Sequence, residues 1–186
     1  MTLSLIIFVV VAIAILWTGI TYNRFISLGV RIKEAWSDIE VQFKRRYDLI
    51  PNLVETVKGY AAHESGTLAK VTEMRTRAMN ASNPADKSAA ENALSGTLKS
   101  LFAVSENYPL LKANENFLEL QRELSDTENK LQAARRFYNS VVLDLNTAVQ
   151  SFPSNFIAQM GGFQTAEFFT LGEADATATE PVKVQF

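Results

Sequence analysis

The residues closest to a catalytic motif are His63 and Glu64, which match the first two positions of the zinc-protease pattern H-E-x-x-H. In that pattern two histidines four residues apart share one helix face and bind zinc, while the glutamate acts as general base. Here Thr67 occupies the place of the second histidine, and the chain contains 1 histidine in all. A helical di-iron site needs two Glu-x-x-His pairs and is excluded as well. The sequence therefore predicts no metal ion and no cofactor.

Nucleophilic catalysis and phosphate binding lack their motifs too. The chain has 0 cysteines and contains neither G-x-S-x-G nor G-x-x-x-x-G-K-[ST]. A serine nucleophile requires a base held beside it, and the lone histidine follows no such pattern. Most carboxylates fit solvent-exposed helix faces, so a hydrolase that uses Glu64 or Glu128 is the weakest hypothesis. We predict that the protein is not an enzyme.

Polar residues that interrupt apolar helical stripes are the candidate interaction residues. The first group is Lys44, Arg45, Arg46, Asp48, Pro51 and Asn52, and the second is Glu128, Arg135, Tyr138 and Asn139. The first group is the better candidate for a partner surface, with pairing inside the protein as an equal alternative. For the second group we favour internal hydrogen bonds that fix one packing register, with contact to another subunit as the alternative.

Apolar residues three and four positions apart predict the helices that carry these groups. The first soluble stripe is Phe25, Leu28, Ile32, Trp36, Ile39, Phe43 and Tyr47. A second stripe follows Pro51 and ends before Asn83, which we expect to cap a third helix over about 84–106. A fourth and longest stripe runs from Phe117 to Phe152. Four amphipathic helices with short connections predict an all-α, antiparallel, up-down-up-down bundle.

The connection between the first two stripes has two readings. Ile50 precedes Pro51, which disfavours the α conformation there, so we expect a turn at Asp48–Pro51. The alternative is a kink within one long helix. At the end of the bundle that contains this turn, we expect Lys44–Arg46 to lie at the same level as Glu115, Glu119 and Glu123.

The first twenty or so residues predict a membrane anchor. Residues 3–17 read LSLIIFVVVAIAILW, without a charge, and residues 18–22 extend the apolar stretch. About twenty apolar residues cross a bilayer as a helix, and Trp17 and Tyr22 suit the interface. A signal peptide would begin with positive charge, whereas Arg24 is the first basic residue. Arg24, Arg31 and Lys33 follow the span and predict an outside N-terminus and a cytoplasmic bundle.

These elements give the predicted domain organisation. Residues 1–22 form the anchor, 23–163 the bundle, and 164–186 a partly docked tail. The apolar segment 156–169 is expected to fold against the membrane-near end of the bundle, with rest on the lipid surface as the alternative. The closing VKVQF alternates and could add to a sheet edge, although a loose end is favoured. The net charge of −2 gives no indication of a nucleic-acid partner.

The sequence also resembles the LemA family across nearly its whole length. The resemblance begins at Tyr22-Asn23 and is strongest in KRRYDLIPNLVETVKGYAAHE, residues 44–64. It continues in YPLLKAN (108–114), LQRELSDTEN (120–129), AARRFYN (133–139), Phe152-Pro153, Phe168-Phe169 and P-V-x-V-x-F (181–186). It implies a helical bundle anchored in the bacterial cytoplasmic membrane, no established reaction, and a link to membrane stress and to an HtpX-like membrane metalloprotease.

Two functions follow as expectations. The first is a non-enzymatic scaffold that forms homo-oligomers and presents a surface to another membrane protein. The second is a module that binds a lipid or a small ligand at the membrane surface. Discrete oligomers would favour the scaffold, and co-purifying lipid would favour the binding module.

Overall fold

A computed structural model describes residues 2–61 and 63–169. Every regular element in this part of the chain is helical, which confirms the all-α prediction. The helices are α1 (Thr2–Lys58), α2 (Ser65–Asn80), α3 (Pro84–Ser105), α4 (Pro109–Lys112), α5 (Glu115–Gln150) and α6 (Ser154–Gly161).

The expected turn at Asp48–Pro51 was wrong, because α1 continues through Pro51 to Lys58. A proline within a helix has no N–H to offer the carbonyl four residues earlier, which here belongs to Tyr47. The guanidinium Nε of Arg75 on α2 donates to that carbonyl at 2.7 Å. A side chain distant in sequence thus replaces the missing helical bond, and the helix tolerates the proline.

This replacement predicts a coupling between Arg75 and Pro51. Arg75→Ala should lower the free energy of unfolding by about 1–2 kcal/mol, because the Tyr47 carbonyl would lose its donor. In a Pro51→Ala background the new N–H can bond to the carbonyl, so Arg75→Ala should cost less. Urea unfolding of the two single variants and the double variant measures the difference. Equal costs in both backgrounds would show that Arg75 contributes in another way.

The end of α2 and both ends of α3 lie close to their predicted positions, whereas the start of α2 does not. Asn83 caps α3, accepting a hydrogen bond from the Asp86 N–H at 2.7 Å. The second predicted stripe is split between two helices, because residues 51–58 belong to α1 and α2 begins at Ser65. The interruption begins at Gly59 and Tyr60, which form a turn.

The described residues divide into two compact units. One comprises residues 2–38 and 134–168, and the other comprises residues 39–61, 63–133 and 169. The core of the first unit contains Phe25, Leu28, Leu145, Ala148, Ile157 and Ala158. Large, fully buried side chains of the second unit are Ile39, Phe43, Ile50, Leu53, Leu94, Leu101, Leu111, Phe117, Leu131 and Phe169. The predicted apolar stripes thus supply most of both cores, and residues outside the stripes, such as Ile157, Leu111 and Phe169, complete them.

The N-terminal part of α1 is the segment of the described chain that is long and apolar enough to cross a membrane. Its large side chains from Leu3 to Ile20 are exposed rather than packed in a core. An apolar helix without a protein partner fits a lipid environment. The segment coincides with the one predicted as a single-pass anchor.

The segment after α6 contacts other elements as far as Phe169. The Tyr138 hydroxyl donates to the Glu167 carbonyl at 3.1 Å, and the Asn146 amide exchanges two hydrogen bonds with the backbone of Ala166. The Phe169 ring lies 6.3 Å from that of Phe43. The closing VKVQF segment, for which a sheet-edge strand and a loose end were both considered, lies outside the described residues.

Candidate interaction surface

One face of α1 near its end is left open. Each of its residues has another three or four positions away, as neighbours on one helix face do. They are Val41, Lys44, Arg45, Asp48, Leu49 and Asn52. Together they line an open groove of about 590 Å³. The Val41 side chain is 58% exposed beside three charged groups. The groove thus combines an apolar contact with charges of both signs.

The groove contains four of the six residues in the first predicted group: Lys44, Arg45, Asp48 and Asn52. Pro51 is exposed but does not line it. Arg46 does not line the groove and is buried.

Arg45 joins this face to α5. It forms an ion pair with Glu123 and lies 3.4 Å from the Asp126 carboxylate. The hydrogen bond to Glu123, and then the Glu123 charge, raise the pKa of Arg45. Of the three glutamates expected near the basic cluster, Glu123 is the one paired with it among the described contacts, whereas Glu119 pairs with Arg122 at 3.6 Å.

The Asp126 carboxylate pairs with two basic side chains, Arg45 and Lys130, which predicts a lowered pKa for it. Lys130 lies 2.8 Å from its carboxylate. That hydrogen bond first, and then the charges of Lys130 and Arg45, lower the pKa of Asp126 despite some desolvation. Since the folded pKa lies below the unfolded value of about 3.9, the stabilisation is present above that value. It is lost as pH falls through the folded pKa.

Lys130→Ala should therefore return the pKa of Asp126 toward its ordinary value. Carbon-13 NMR titration of the side-chain carboxyl measures this change directly. Lys99→Ala, which removes an exposed lysine of α3, serves as control and should leave the Asp126 titration unaltered. An ordinary Asp126 pKa in the unmodified protein would contradict the ion pairs described above.

Arg46 does not belong to an accessible surface, which corrects its place in the predicted group. It is 4% exposed, and its guanidinium lies 3.2 Å from the Glu91 carboxylate, whose residue is 0% exposed. The same guanidinium donates to Ser95 Oγ at 2.6 Å and pairs with Glu128 at 3.2 Å. The Tyr47 hydroxyl also donates to Glu91. Arg46 and Glu91 are therefore the centre of a buried polar cluster that joins α1, α3 and α5.

Glu91 was missed by the sequence analysis, although a signal was present. Positions 91, 94, 98, 101 and 105 follow steps of three and four, and Glu91 thus begins the stripe that contains Leu94 and Leu98. A charged residue in such a position is easily assigned to the solvent. Burial of its charge is explained by the ion pair with Arg46. Arg46 lies 45 positions earlier in the sequence, so periodicity cannot identify it as the partner.

The second predicted group lies mostly inside the protein. Arg135 and Tyr138 are buried and Asn139 is half-buried. The Tyr138 ring meets that of Trp36 edge to face at 5.5 Å. Burial, followed by the charge of Glu167, raises the pKa of Tyr138. The internal polar layer that we favoured for this group stays a prediction.

The described residues contain no group of three or more His, Cys, Asp or Glu side chains able to hold a metal ion. His63 is exposed. Glu64 accepts a hydrogen bond from the Tyr108 hydroxyl at 3.1 Å, and this bond raises the pKa of Tyr108. Glu64 therefore has a structural contact that explains its position without catalysis.

Comparison with known proteins gives a family and several relatives. The model of the LemA family matches residues 35–186. Protein LemA of Metamycoplasma hominis is 28% identical over 148 residues, which cover 77% of this chain and 66% of that protein. Magnetosome protein MamQ 2 of Paramagnetospirillum magneticum is 23% identical over 174 residues, covering 80% of this chain and 64% of that protein. The chain thus spans slightly less than two thirds of the length of these relatives.

Proposed function

Because this chain belongs to the LemA family, we propose that it is a non-enzymatic, membrane-anchored scaffold. In this proposal several subunits associate in the bilayer and present the α1 groove to another membrane protein. The observation that carries it is the open face of α1, where Val41 and Leu49 accompany Lys44, Arg45 and Asp48 on the helix that begins with the apolar segment. An apolar contact bordered by charged groups is compatible with the apolar core and polar rim of a protein interface.

The proposal places the protein in the bacterial cytoplasmic membrane with its N-terminus outside. Arg24, Arg31 and Lys33 support this orientation, because cytoplasmic flanks carry an excess of Lys and Arg. The antiparallel arrangement of the long helices α1, α2, α3 and α5 is part of the proposal. A membrane metalloprotease of the HtpX type is the partner that the family resemblance suggests.

A charge exchange within the groove tests the proposal. Lys44→Asp combined with Asp48→Lys leaves composition and net charge unchanged while it reverses the charge order on the open face. Native mass spectrometry in mild detergent should show discrete oligomers of the unmodified full-length chain, and cross-linking in membranes should capture a membrane protein. The exchanged variant should lose most of the cross-linked membrane protein, because like charges would then meet across that interface. Its oligomers, which form in the bilayer, should persist.

A matched control is available on α2. Lys70 and Glu73 form an exposed ion pair at 3.4 Å, so Lys70→Glu with Glu73→Lys reverses another surface pair without touching the groove. This variant should behave as the unmodified protein. A monomer at every concentration, or equal losses in both exchanges, would overturn the scaffold proposal.

The alternative is a lipid- or ligand-binding module at the membrane surface. The groove volume of about 590 Å³ lies in the range of small-molecule sites, but such sites enclose most of their ligand. This groove is open, which favours a protein contact. A monomer that carries a stoichiometric lipid in the same mass spectra would favour the alternative.

A further inference from the structure

α6 has two unlike faces. Ile157 and Ala158 point into the core that also contains Phe25 and Leu28 of α1. On the other side Phe152, just before the helix, is 80% exposed, Phe156 is 57% exposed and Met160 is 85% exposed. These three positions follow at i, i+4 and i+8, and the rings of Phe152 and Phe156 meet edge to face at 6.0 Å. The three side chains form a continuous apolar strip, which we call the α6 strip.

The chain holds α6 beside the end of the apolar span. Gly162 adopts a left-handed conformation with φ of 70° and turns the chain back toward α1. The Phe163 ring then stacks on Phe25 at 4.8 Å and meets Tyr22 at 5.4 Å. A Cβ at Gly161 would come within 3.3 Å of the Tyr22 ring. These contacts fix the C-terminal end of α6 at the level of Tyr22.

The depth of α6 follows from the helical rise. Phe25 and Leu28 lie three and six residues beyond Tyr22, which is about 4.5 and 9 Å along α1. The headgroup region on one side of a bilayer is about 5–7 Å thick. If the hydrocarbon ends near Tyr22, α6 lies within the headgroup region or directly against it.

Charge agrees with this position. Residues 145–166 contain no Lys, Arg, Asp or Glu, so α6 and both flanking segments are uncharged. Helices that lie in the interface insert an apolar face to the boundary between headgroups and acyl chains. The α6 strip offers that face, and a charge within it would oppose the insertion.

We propose that α6 is a second membrane contact, with Phe152, Phe156 and Met160 inserted into the lipid interface beside the α1 span. The occupant of the strip is the bilayer rather than a protein, because the uncharged helix that carries the strip packs at its C-terminal end against Tyr22, where the apolar span ends. This contact goes beyond the scaffold, since it needs no partner. It requires only that α1 crosses the membrane, and it fixes how α1 leaves the bilayer.

The test uses the absence of cysteine in the chain. Single cysteines replace Phe156 and Met160 in the full-length protein and are labelled with nitrobenzoxadiazole. Ile13→Cys reports the span, and Phe137→Cys is the control. Phe137 is also exposed and apolar, but it neighbours Tyr138, which contacts Trp36. Trp36 lies fourteen residues beyond Tyr22, or about 21 Å along the helix, so this label should remain in water.

Each variant is placed in nanodiscs of phosphatidylethanolamine and phosphatidylglycerol that hold one copy, with nitroxide lipids labelled near the headgroup or deep in the acyl chain. The labels at 156 and 160 should lose most of their fluorescence to the shallow nitroxide and less to the deep one. The label at 13 should show the reverse, and the label at 137 should lose almost none. Circular dichroism verifies that each variant retains its helices.

Three results would overturn the proposal. Labels at 156 and 160 that behave like the label at 137 would show that water covers the strip. Labels protected only in nanodiscs with several copies would assign the strip to a second copy of the chain. An unquenched label at 13 would remove the span on which the contact depends. The scaffold proposal fails separately, through the charge exchange in the α1 groove.

Discussion

Glu91→Ala is expected to lower the free energy of unfolding by about 3–5 kcal/mol, the range found when one partner of a buried ion pair is removed. Arg46 is 4% exposed and would lose the carboxylate that balances its charge. Glu128 and Ser95 remain within reach, so the loss should fall toward the lower end of the range. Urea unfolding followed by circular dichroism measures the change.

Two further variants separate the ion pair from ordinary packing. Arg46→Met with Glu91→Leu removes both charges and should cost less than Glu91→Ala, because no buried charge is left without a partner. Glu73→Ala removes one side of an exposed pair on α2 and should change stability by about 0–1 kcal/mol. If Glu91→Ala proved as mild as Glu73→Ala, the cluster around Arg46 would not stabilise the fold.

This cluster separates what periodicity can predict from what it cannot. The stripe from Phe25 to Tyr47 was predicted from spacing, and its members are buried or half-buried. Spacing succeeds there because one helix face needs only local information. The partner of Glu91 depends on which faces of α1 and α3 meet, and that is a property of the tertiary structure.

Pro51 also shows that local sequence cannot reveal a tertiary contact, here because such a contact overrides a local preference. Local conformational preference favoured a turn before the proline, and the preference itself is sound. It was overridden because Arg75 supplies a donor to the Tyr47 carbonyl. A compensating side chain on another helix cannot be identified from the residues around the proline.

The end of the longest stripe gives a third example. Phe152 continued the spacing of α5, yet α5 ends at Gln150 and Phe152 is exposed. The periodicity was real, but Pro153 follows at once and α5 ends before Phe152 is included in it. Its apolar character is explained instead by the proposed insertion of Phe152 into the lipid interface.

Four of the six residues in the first predicted group lie together on α1. Lys44, Arg45, Asp48 and Asn52 share the open face of α1, because neighbours at three and four positions must lie together on a helix. Arg46, adjacent in sequence, is rotated by about 100° and lies inside. A run of basic residues therefore divides between a surface and a core, and only the helix register tells which residue belongs to which.

The second large effect expected is loss of membrane attachment when charges enter the N-terminal segment of α1. Val10→Arg with Ile13→Arg places two guanidinium groups near the middle of the span, each at a cost of about 2.5–3.5 kcal/mol for insertion. Both positions are exposed in the structure, so the variants should not disturb a protein core. Most of the protein should move from the carbonate-resistant membrane pellet to the soluble fraction.

The matched control introduces the same two arginines outside the span. Phe137 and Leu143 of α5 are also large, apolar and exposed, so Phe137→Arg with Leu143→Arg adds equal charge at comparable surface positions. This variant should remain in the pellet, because the apolar segment of α1 is intact. Release of both variants would point to a general effect of charge on solubility. Retention of the Val10/Ile13 variant would mean that the first twenty residues do not anchor the protein, and both the scaffold and the α6 contact would then lose the α1 span on which they depend.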